Sequence, residues 1–151
     1  EQVRKPTDIN AAIEATLMLL QHRVDERSTR VHLELAELPG VTCHPGEVNQ
    51  VLMNLLANAI EAVAELGDKG TVTVGSAVTG EDRISVTVED NGKGIGEEHL
   101  SRIFEPFFTT RDEGTGLGLA ISHEIVTRHG GTITVDSLPG RTVFTLRLPI
   151  A

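Results

Sequence analysis

Apolar residues recur every three to four positions in three stretches of the chain, which is the spacing of one face of an α-helix. The first stretch covers residues 7–28, where Thr7 or Asp8 stands at the position of an N-cap. The second covers about residues 46–66, and its apolar stripe is wide enough to predict a heavily buried helix. The third covers residues 118–129 and ends at a pair of glycines. Its predicted inward positions are Leu119, Ile121, Ile125 and Val126.

Elsewhere, apolar and polar residues alternate, which is the pattern of half-buried β-strands. The segments with this pattern are residues 31–35, 41–43, 71–78, 83–89, 132–136 and 142–148. In the first of them, Val31, Leu33 and Leu35 are expected to face inward. Because short turns join most of the strands in pairs, the predicted fold class is α+β. We expect a two-layer α/β sandwich with a mixed sheet of about five strands, covered on one face by three helices.

The chain has 151 residues, 39% of them hydrophobic and 23% charged, and we expect residues 1–151 to form a single globular domain. A lone Cys43 excludes an internal disulfide and the cysteine zinc patterns, and it fits a reducing compartment. No apolar run is long enough for a membrane helix, and the N-terminal residues do not resemble a signal peptide. Because the sequence begins with Glu1 rather than Met, we expect it to be a piece of a longer protein.

The net charge of -9 argues against a nucleic-acid partner. The chain has no cluster of Lys and Arg, and its only aromatic residues are four Phe, so it lacks both a basic stripe and a set of stacking residues. An acidic domain that binds a polyanion needs a divalent cation or oriented backbone N–H groups. The sequence contains candidates for both.

The stretch from Glu89 to Leu119 contains two glycine clusters, E-D-N-G-K-G-I-G and G-T-G-L-G-L, with the segment F-E-P-F-F-T-T between them. Residues without Cβ allow backbone N–H groups to approach an anion closely and adopt positive φ angles. The second cluster also precedes a predicted helix, and a helix N-terminus is an anion site. Together the two clusters predict a nucleotide pocket under a mobile segment.

Asp90 follows an apolar alternating strand and precedes Asn91-Gly92, which could be a hairpin turn. However, the residues from Lys93 to Phe104 show no strand pattern, so this turn does not join two obvious strands. A carboxylate at the end of a buried strand, beside glycines, can instead accept a hydrogen bond from an exocyclic amine such as that of adenine. The residues alone leave both interpretations open.

Asn54 and Asn58 lie one helical turn apart, close to the apolar stripe of the second predicted helix. They could be polar residues that satisfy a neighbouring backbone. Alternatively, their carbonyl oxygens face the pocket and hold Mg²⁺, which takes oxygen ligands and is completed by water and substrate phosphates.

Two other motifs are incomplete. A dinucleotide-binding fold would use the second glycine cluster together with Asp136, but the glycine spacing fails at Leu119 and no strand precedes the cluster. His123-Glu124 begins a zinc-like motif that lacks its second histidine, because Thr127 stands at that position. We expect Ser122 and His123 to lie on a solvated helix face.

Four motifs in the same order and spacing resemble those of one family. Residues 51–62 (V-L-M-N-L-L-A-N-A-I-E-A) are similar to the N box of bacterial sensor histidine kinases, and residues 90–95 (D-N-G-K-G-I) to the G1 box. Residues 104–110 (F-E-P-F-F-T-T) are similar to the F box, and residues 114–121 (G-T-G-L-G-L-A-I) to the G2 box. The resemblance implies the catalytic ATP-binding domain with the Bergerat fold, which gyrase and Hsp90 ATPases share.

The resemblance also implies residue roles by matching position. Asn54 and Asn58 resemble the magnesium-binding, catalytic asparagines, and Asp90 resembles the aspartate that reads adenine. Residues of about 95–115 would form a mobile ATP lid. The implied ATP-binding residues, besides Asn58 and Asp90, are Gly92, Gly94, Ile95, Phe104, Thr109, Thr110, Thr115, Gly116, Leu117, Gly118 and Leu119.

Within that set, Gly92 and Gly94 would line the base and sugar, and the residues from Gly116 to Gly118 would face the phosphates. Thr109 to Arg111 are secondary candidates for a contact near the γ-phosphate. The lid would be tied to the core by Phe104, Phe107 and Phe108.

Two positions refine the expected activity. In the ATPase branch of the superfamily, the residue one turn before the magnesium asparagine is typically a glutamate that activates water. Here it is Asn54, which cannot act as a base and favours phosphoryl transfer over hydrolysis. Many kinases carry a basic residue three positions after the magnesium asparagine, where this chain has Glu61.

The resemblance implies ATP and Mg²⁺ as cofactors and, as partners, a histidine-bearing helical dimerisation domain of the same protein and, indirectly, a response regulator. We expect a monomeric, cytoplasmic domain without direct membrane contact. This expectation is compatible with a membrane anchor elsewhere in the parent protein. The domain should bind Mg·ATP without phosphorylating itself. A Bergerat-fold ATPase and a degenerate kinase-like interaction domain remain the alternatives.

Overall fold

A computed structural model of the chain describes residues 3–108 and 117–151. Its strands are β1 (Lys5–Thr7), β2 (Arg30–Leu35), β3 (Val41–Cys43), β4 (Thr71–Thr79), β5 (Arg83–Asp90), β6 (Thr132–Leu138) and β7 (Arg141–Pro149). Its helices are α1 (Ile9–Arg27), α2 (Pro45–Ala62), α3 (Glu97–Leu100) and α4 (Gly118–Arg128), with a 3-10 helix at Ala64–Lys69. None of these helices combines the length and apolarity needed to cross a membrane.

The main sheet has five strands in the order β2-β4-β5-β7-β6. The β2–β4 pair is parallel and the other pairs are antiparallel, so the sheet is mixed, as predicted. A separate two-stranded sheet pairs β1 with β3. The sequence pattern missed β1 because this strand has only three residues and contains Pro6.

The helices cover one face of the main sheet. Along β4, β5 and β7, buried apolar residues alternate with less buried polar ones such as Thr73, Thr87 and Thr145. Helix α2 packs against α1, α4 and β5 and contributes the widest buried stripe. Its buried residues are Val48, Val51, Leu52, Leu55, Leu56, Ala59 and Ile60. The predicted α+β sandwich is therefore confirmed.

The helix boundaries have local causes. Asp8, rather than Thr7, caps α1, because its carboxylate accepts a hydrogen bond from the Ala11 N–H. Helix α1 ends at Arg27, and the C-cap residue that follows it, Ser28, has a left-handed φ of 56°. Helix α2 ends at Ala62 rather than near residue 66, and the chain continues as a 3-10 helix that Gly67 interrupts with a φ of 56°.

Two expected inward positions are wrong. Leu33 is 43% exposed because β2 lies at the edge of the sheet, where the helical layer covers it incompletely. Ile121 is 41% exposed because the buried face of α4 contains Ser122, Ile125 and Val126, and Ile121 lies at its margin.

Candidate nucleotide-binding site

Asp90 is the last residue of β5 and is almost fully buried, with 2% of its surface exposed. Its Oδ1 accepts a hydrogen bond from the Gly92 N–H at 2.9 Å. The pKa of the Asp90 carboxyl is raised to about 6, mainly by burial and to a lesser extent by the nearby Glu89 charge, against the lowering effect of the Gly92 hydrogen bond. The carboxyl is therefore ionised at neutral pH, at an energetic cost.

The residues after Asp90 do not form a hairpin. Asn91 closes the turn instead, since its side-chain oxygen accepts from the Thr71 N–H at 2.8 Å and its amide donates to the Lys69 carbonyl at 2.8 Å. The chain then continues into α3 at Glu97 rather than into a strand. Asn91 thus fixes the loop to the start of β4. The Asp90 carboxylate takes no part in these two hydrogen bonds.

Gly92 and Gly94 are positions where a side chain does not fit. A Cβ on Gly92 would lie 2.6 Å from the Ala62 carbonyl oxygen, at the end of α2. A Cβ on Gly94 would lie 2.5 Å from the Leu138 carbonyl oxygen, at the end of β6, and Gly94 has a φ of +88°. The two glycines therefore let the loop run directly between helix α2 and the β6–β7 hairpin.

Two hydroxyl groups of the β6–β7 hairpin complete this end of the site. The Ile95 N–H donates to Ser137 Oγ at 2.7 Å, and Ser137 Oγ shares a 2.8 Å hydrogen bond with Thr142 Oγ1. Thr142 is buried and pairs with Asp90 across the sheet. Neither hydroxyl has a signal in the sequence, because only the strand register brings them to Asp90.

The two asparagines of α2 have different surroundings. The Asn54 amide nitrogen donates to the Gly118 carbonyl oxygen at 3.0 Å and to Ser122 Oγ at 3.1 Å, and Asn54 Oδ1 accepts from Gln50 at 3.2 Å. Within the described part of the chain, the half-buried Asn58 side chain makes no hydrogen bond. The structure thus brings Asn54 to the start of α4 and leaves the Asn58 amide available.

Glu61 lies on the same face of α2 as Asn54 and Asn58, one turn further on. Its Oε2 accepts from the Arg27 guanidinium at the end of α1 at 2.5 Å. Arg27 therefore balances the carboxylate that stands where many kinases have a basic residue.

The aromatic residues in the described part of the predicted lid divide into two groups. Phe104 and Phe108 pack against the core, and the Phe104 ring lies 6.3 Å from that of Phe144, edge to face. Phe107 is 74% exposed and has a φ of 67°, so its predicted contact with the core is wrong. The Phe107 side chain points outward, whereas Phe104 and Phe108 are each half-buried.

At the second glycine cluster, Gly118 is the first residue of α4 and Leu119 is half-buried against the core. Leu117 precedes the helix as its N-cap residue. The other predicted phosphate and lid residues lie outside the described residues, namely Thr109, Thr110, Arg111, Thr115 and Gly116.

The expected solvated face at Ser122 and His123 holds for only one of the two. His123 is exposed and its ring lies 5.2 Å from that of Phe104. Ser122 is fully buried, because its hydroxyl is the partner of the Asn54 amide. Its place between inward positions was the only sequence signal of this burial.

A buried aspartate, two glycines without room for a side chain and an amide-bearing helix, together in an α/β sandwich, are typical of a nucleotide-binding domain. The family model for the histidine kinase-, DNA gyrase B- and HSP90-like ATPases matches residues 43–151. The chain therefore belongs to this family.

Several relatives of the chain are named as sensor histidine kinases. The chain is 41% identical over 145 residues to the sensor histidine kinase ZraS of Salmonella typhi, covering 95% of this chain and 30% of that protein. It thus spans less than a third of the length of such relatives.

Solved structures agree with this placement. The catalytic domain of histidine kinase ThkA has a TM-score of 0.87 at 31% identity, covering 97% of this chain and 95% of that one. Full-length ShkA in complex with AMPPNP has a TM-score of 0.88 at 27% identity, covering 100% of this chain and 32% of that one. ThkA has also been solved in complex with the response regulator TrrA, with a TM-score of 0.84 at 29% identity, covering 98% and 42% of the two chains.

Proposed function

We propose that this domain binds Mg·ATP and presents the γ-phosphate to a histidine on a separate helical dimerisation domain of the same sensor kinase. The observation that carries the proposal is the buried Asp90 carboxylate beside two glycines that leave no room for a side chain. The similarity to ZraS, and the AMPPNP complex of ShkA, support it.

Asp90 is proposed to recognise the base. Its carboxylate accepts only one hydrogen bond in the described structure, from Gly92, and can accept another from the exocyclic amine of adenine. Gly92 and Gly94 let the base and sugar approach the backbone, and Ile95 contributes an apolar contact. Because the pKa of Asp90 is about 6, the acceptor is present at neutral pH.

Asn58 is proposed as the magnesium ligand of the chain. An unpaired amide oxygen is a suitable donor for this hard cation, which takes oxygen ligands and commonly relies on few protein ligands beside substrate phosphates. The described residues contain no group of three His, Cys, Asp or Glu side chains that could hold a metal, which fits such a sparse site. When bound, Mg²⁺ would neutralise phosphate charge. Asn54 can join it only through Oδ1, which already accepts from Gln50.

The start of α4 is proposed as the phosphate end of the site. Its first N–H groups lack partners within the helix, which favours an anion there. Leu117, Gly118 and Leu119 would contribute from the described part, and Gly116, Thr115, Thr109 and Thr110 from the remainder. Phe104 would hold the near end of the lid against the core.

The surroundings of Asn54 favour transfer over hydrolysis. Its hydrogen-bond partners in the described structure are an amide, a carbonyl and a hydroxyl, and none of these can take a proton from water. Phosphoryl transfer to a separate nucleophile needs mainly positioning and charge neutralisation. We propose that the acceptor histidine and, through it, a response regulator are the partners of a cytoplasmic, monomeric domain.

Calorimetry with Mg·ATP tests the proposal directly. We expect saturable binding that depends on Mg²⁺, and no phosphohistidine on these residues alone. No binding at millimolar ATP would contradict the proposal. Steady ATP turnover that survives Asn54→Ala would instead favour an ATPase.

A further inference from the structure

Ser122 and Asn54 form a partly buried connection between α2 and α4. Ser122 is fully buried and lies one turn after Gly118, and the Asn54 amide nitrogen donates to the Ser122 hydroxyl and to the Gly118 carbonyl oxygen. We propose that Ser122 is a positioning residue, which, through Asn54, holds the first turn of α4 at a fixed place beside α2. The consequence for phosphate binding rests on the proposed function, whereas the connection itself does not.

The chemistry of this connection requires an amide at position 54. The two α4 atoms that face Asn54 are a carbonyl oxygen and a hydroxyl oxygen, and a side-chain NH₂ group can donate to both. Gln50 donates to the Asn54 oxygen, so the orientation of the amide is fixed from the opposite side. A carboxylate at position 54 would face the Gly118 carbonyl oxygen without a proton to share, and the two oxygens would repel each other.

The burial of Ser122 makes its hydroxyl depend on the hydrogen bond with Asn54. A hydroxyl inside an apolar face is unfavourable unless it is hydrogen-bonded, and the residues beside it on the buried face of α4 are Ile125 and Val126. Removing the Asn54 amide leaves the buried Ser122 hydroxyl without this donor, and removing the Ser122 hydroxyl takes away one of the two acceptors of the Asn54 amide. The effects of changing Asn54 and Ser122 are therefore expected to be non-additive.

The connection also relates two parts of the proposed site. Asn54 and Asn58 are one turn apart on α2, and Gly118 and Ser122 are one turn apart on α4. Fixing these adjacent turns sets the distance between the Asn58 amide and the first N–H groups of α4. Ser122 would thus act on phosphate binding without touching the nucleotide.

The first test uses the nucleotide-free protein. In Ser122→Ala, we expect the NMR signals of the Asn54 side-chain amide to shift and its hydrogen exchange to become faster, because one of its two acceptors is lost. The matched control is Thr127→Ala on the same helix, whose hydroxyl donates only to the His123 carbonyl and lies on the exposed side. The control should leave the Asn54 signals unchanged.

The second test compares Mg·ATP with adenosine. We expect Ser122→Ala to weaken Mg·ATP binding about three- to tenfold, the range for one net hydrogen bond, and to leave adenosine binding within about twofold. A merely structural role would lower the affinity for both ligands together. If Ser122→Ala does not fold, Ser122→Cys, which keeps the volume, replaces it in both tests.

The outcomes separate the two hypotheses. Unchanged Asn54 amide signals in both Ser122 variants, or equal losses for Mg·ATP and adenosine, would overturn the positioning role. If the unaltered domain binds no nucleotide, the proposed function fails, and the amide signals and their exchange still decide whether the connection exists.

Discussion

Arg27, at the end of α1, donates a hydrogen bond to the Glu61 carboxylate, one turn beyond Asn58 on α2. Glu61 would otherwise place an uncompensated negative charge near the proposed metal and phosphate site. The pair therefore connects a helix outside the site to the charge balance within it.

We expect Arg27→Ala to weaken Mg·ATP binding about two- to fivefold at low salt, because it exposes the phosphates to the Glu61 charge. Calorimetry at two salt concentrations measures this effect, which should shrink as salt rises. Both side chains are about one-third exposed, so the free energy of unfolding should change by less than about 1 kcal/mol. The double variant Arg27→Ala/Glu61→Gln should regain the lost affinity, and a double variant as weak as Arg27→Ala would contradict the electrostatic cause.

Asp90→Asn should make the domain more stable at neutral pH while abolishing adenine recognition. The folded-state pKa of about 6 lies above the ordinary value of 3.8, so folding is penalised once the carboxyl ionises, and the penalty is absent below pH 3.8. Above pH 6 the free energy of unfolding of Asp90→Asn should exceed that of the unaltered domain by up to about 3 kcal/mol, measured by urea unfolding. The control is Asp82→Asn in the exposed β4–β5 turn, which should change neither property. Nucleotide affinity that survives Asp90→Asn would move the base pocket elsewhere.

Adenosine binding should weaken as pH falls through about 6, because protonation removes the Asp90 acceptor. At pH 5 the Asp90 carboxyl would be protonated in about nine-tenths of the nucleotide-free molecules, which predicts roughly tenfold weaker adenosine binding than at pH 7. Adenosine is the suitable probe, since it has no phosphate that titrates in this range. An NMR titration measures the dependence, and a flat profile between pH 5 and 7 would mean that the Asp90 carboxylate is not the acceptor.

Gly94→Ala should destabilise the domain through a steric clash as well as backbone strain. Gly94 and Gly80 have similar φ angles, +88° and +68°, but a Cβ at Gly80 meets nothing within 4 Å. Gly80→Ala therefore isolates the strain, about 1–2 kcal/mol, and Gly94→Ala should cost about 2–4 kcal/mol. Urea unfolding of both variants measures the difference. Equal losses would show that the loop can move away from Leu138.

Asn58→Ala should remove the Mg²⁺-dependent part of ATP binding and leave the Mg²⁺-independent part largely intact. The reason is that the Asn58 amide would contact the metal rather than the nucleotide. Calorimetry with and without Mg²⁺ separates the two parts. The fold should tolerate the change, because the side chain makes no hydrogen bond within residues 3–108 and 117–151. An unaltered response to Mg²⁺ would exclude Asn58 as the ligand.

The features that the sequence predicted are those that depend on local pattern. Periodic apolar positions located α1, α2 and α4, and alternation located the strands of the main sheet. Asp90 and the glycines were recognisable because their spacing along the chain carries the signal.

The features that the sequence did not predict depend on distant parts of the chain. The burial of Ser122 follows from its partner Asn54, on another helix. The Ser137 and Thr142 hydroxyls reach the site only through the register of β7 against β5. Neither kind of contact leaves a periodic trace in the sequence.

The position of β7 has a consequence for the order in which the proposed base site is assembled. Among the strands of the described residues, β7 follows β5 by about fifty positions, yet it pairs directly with β5 and places Thr142 beside Asp90. During synthesis, Asp90, Gly92 and Gly94 therefore leave the ribosome before the residues of β7. We expect a nascent chain to bind adenosine only after β7 has been released and has paired with β5.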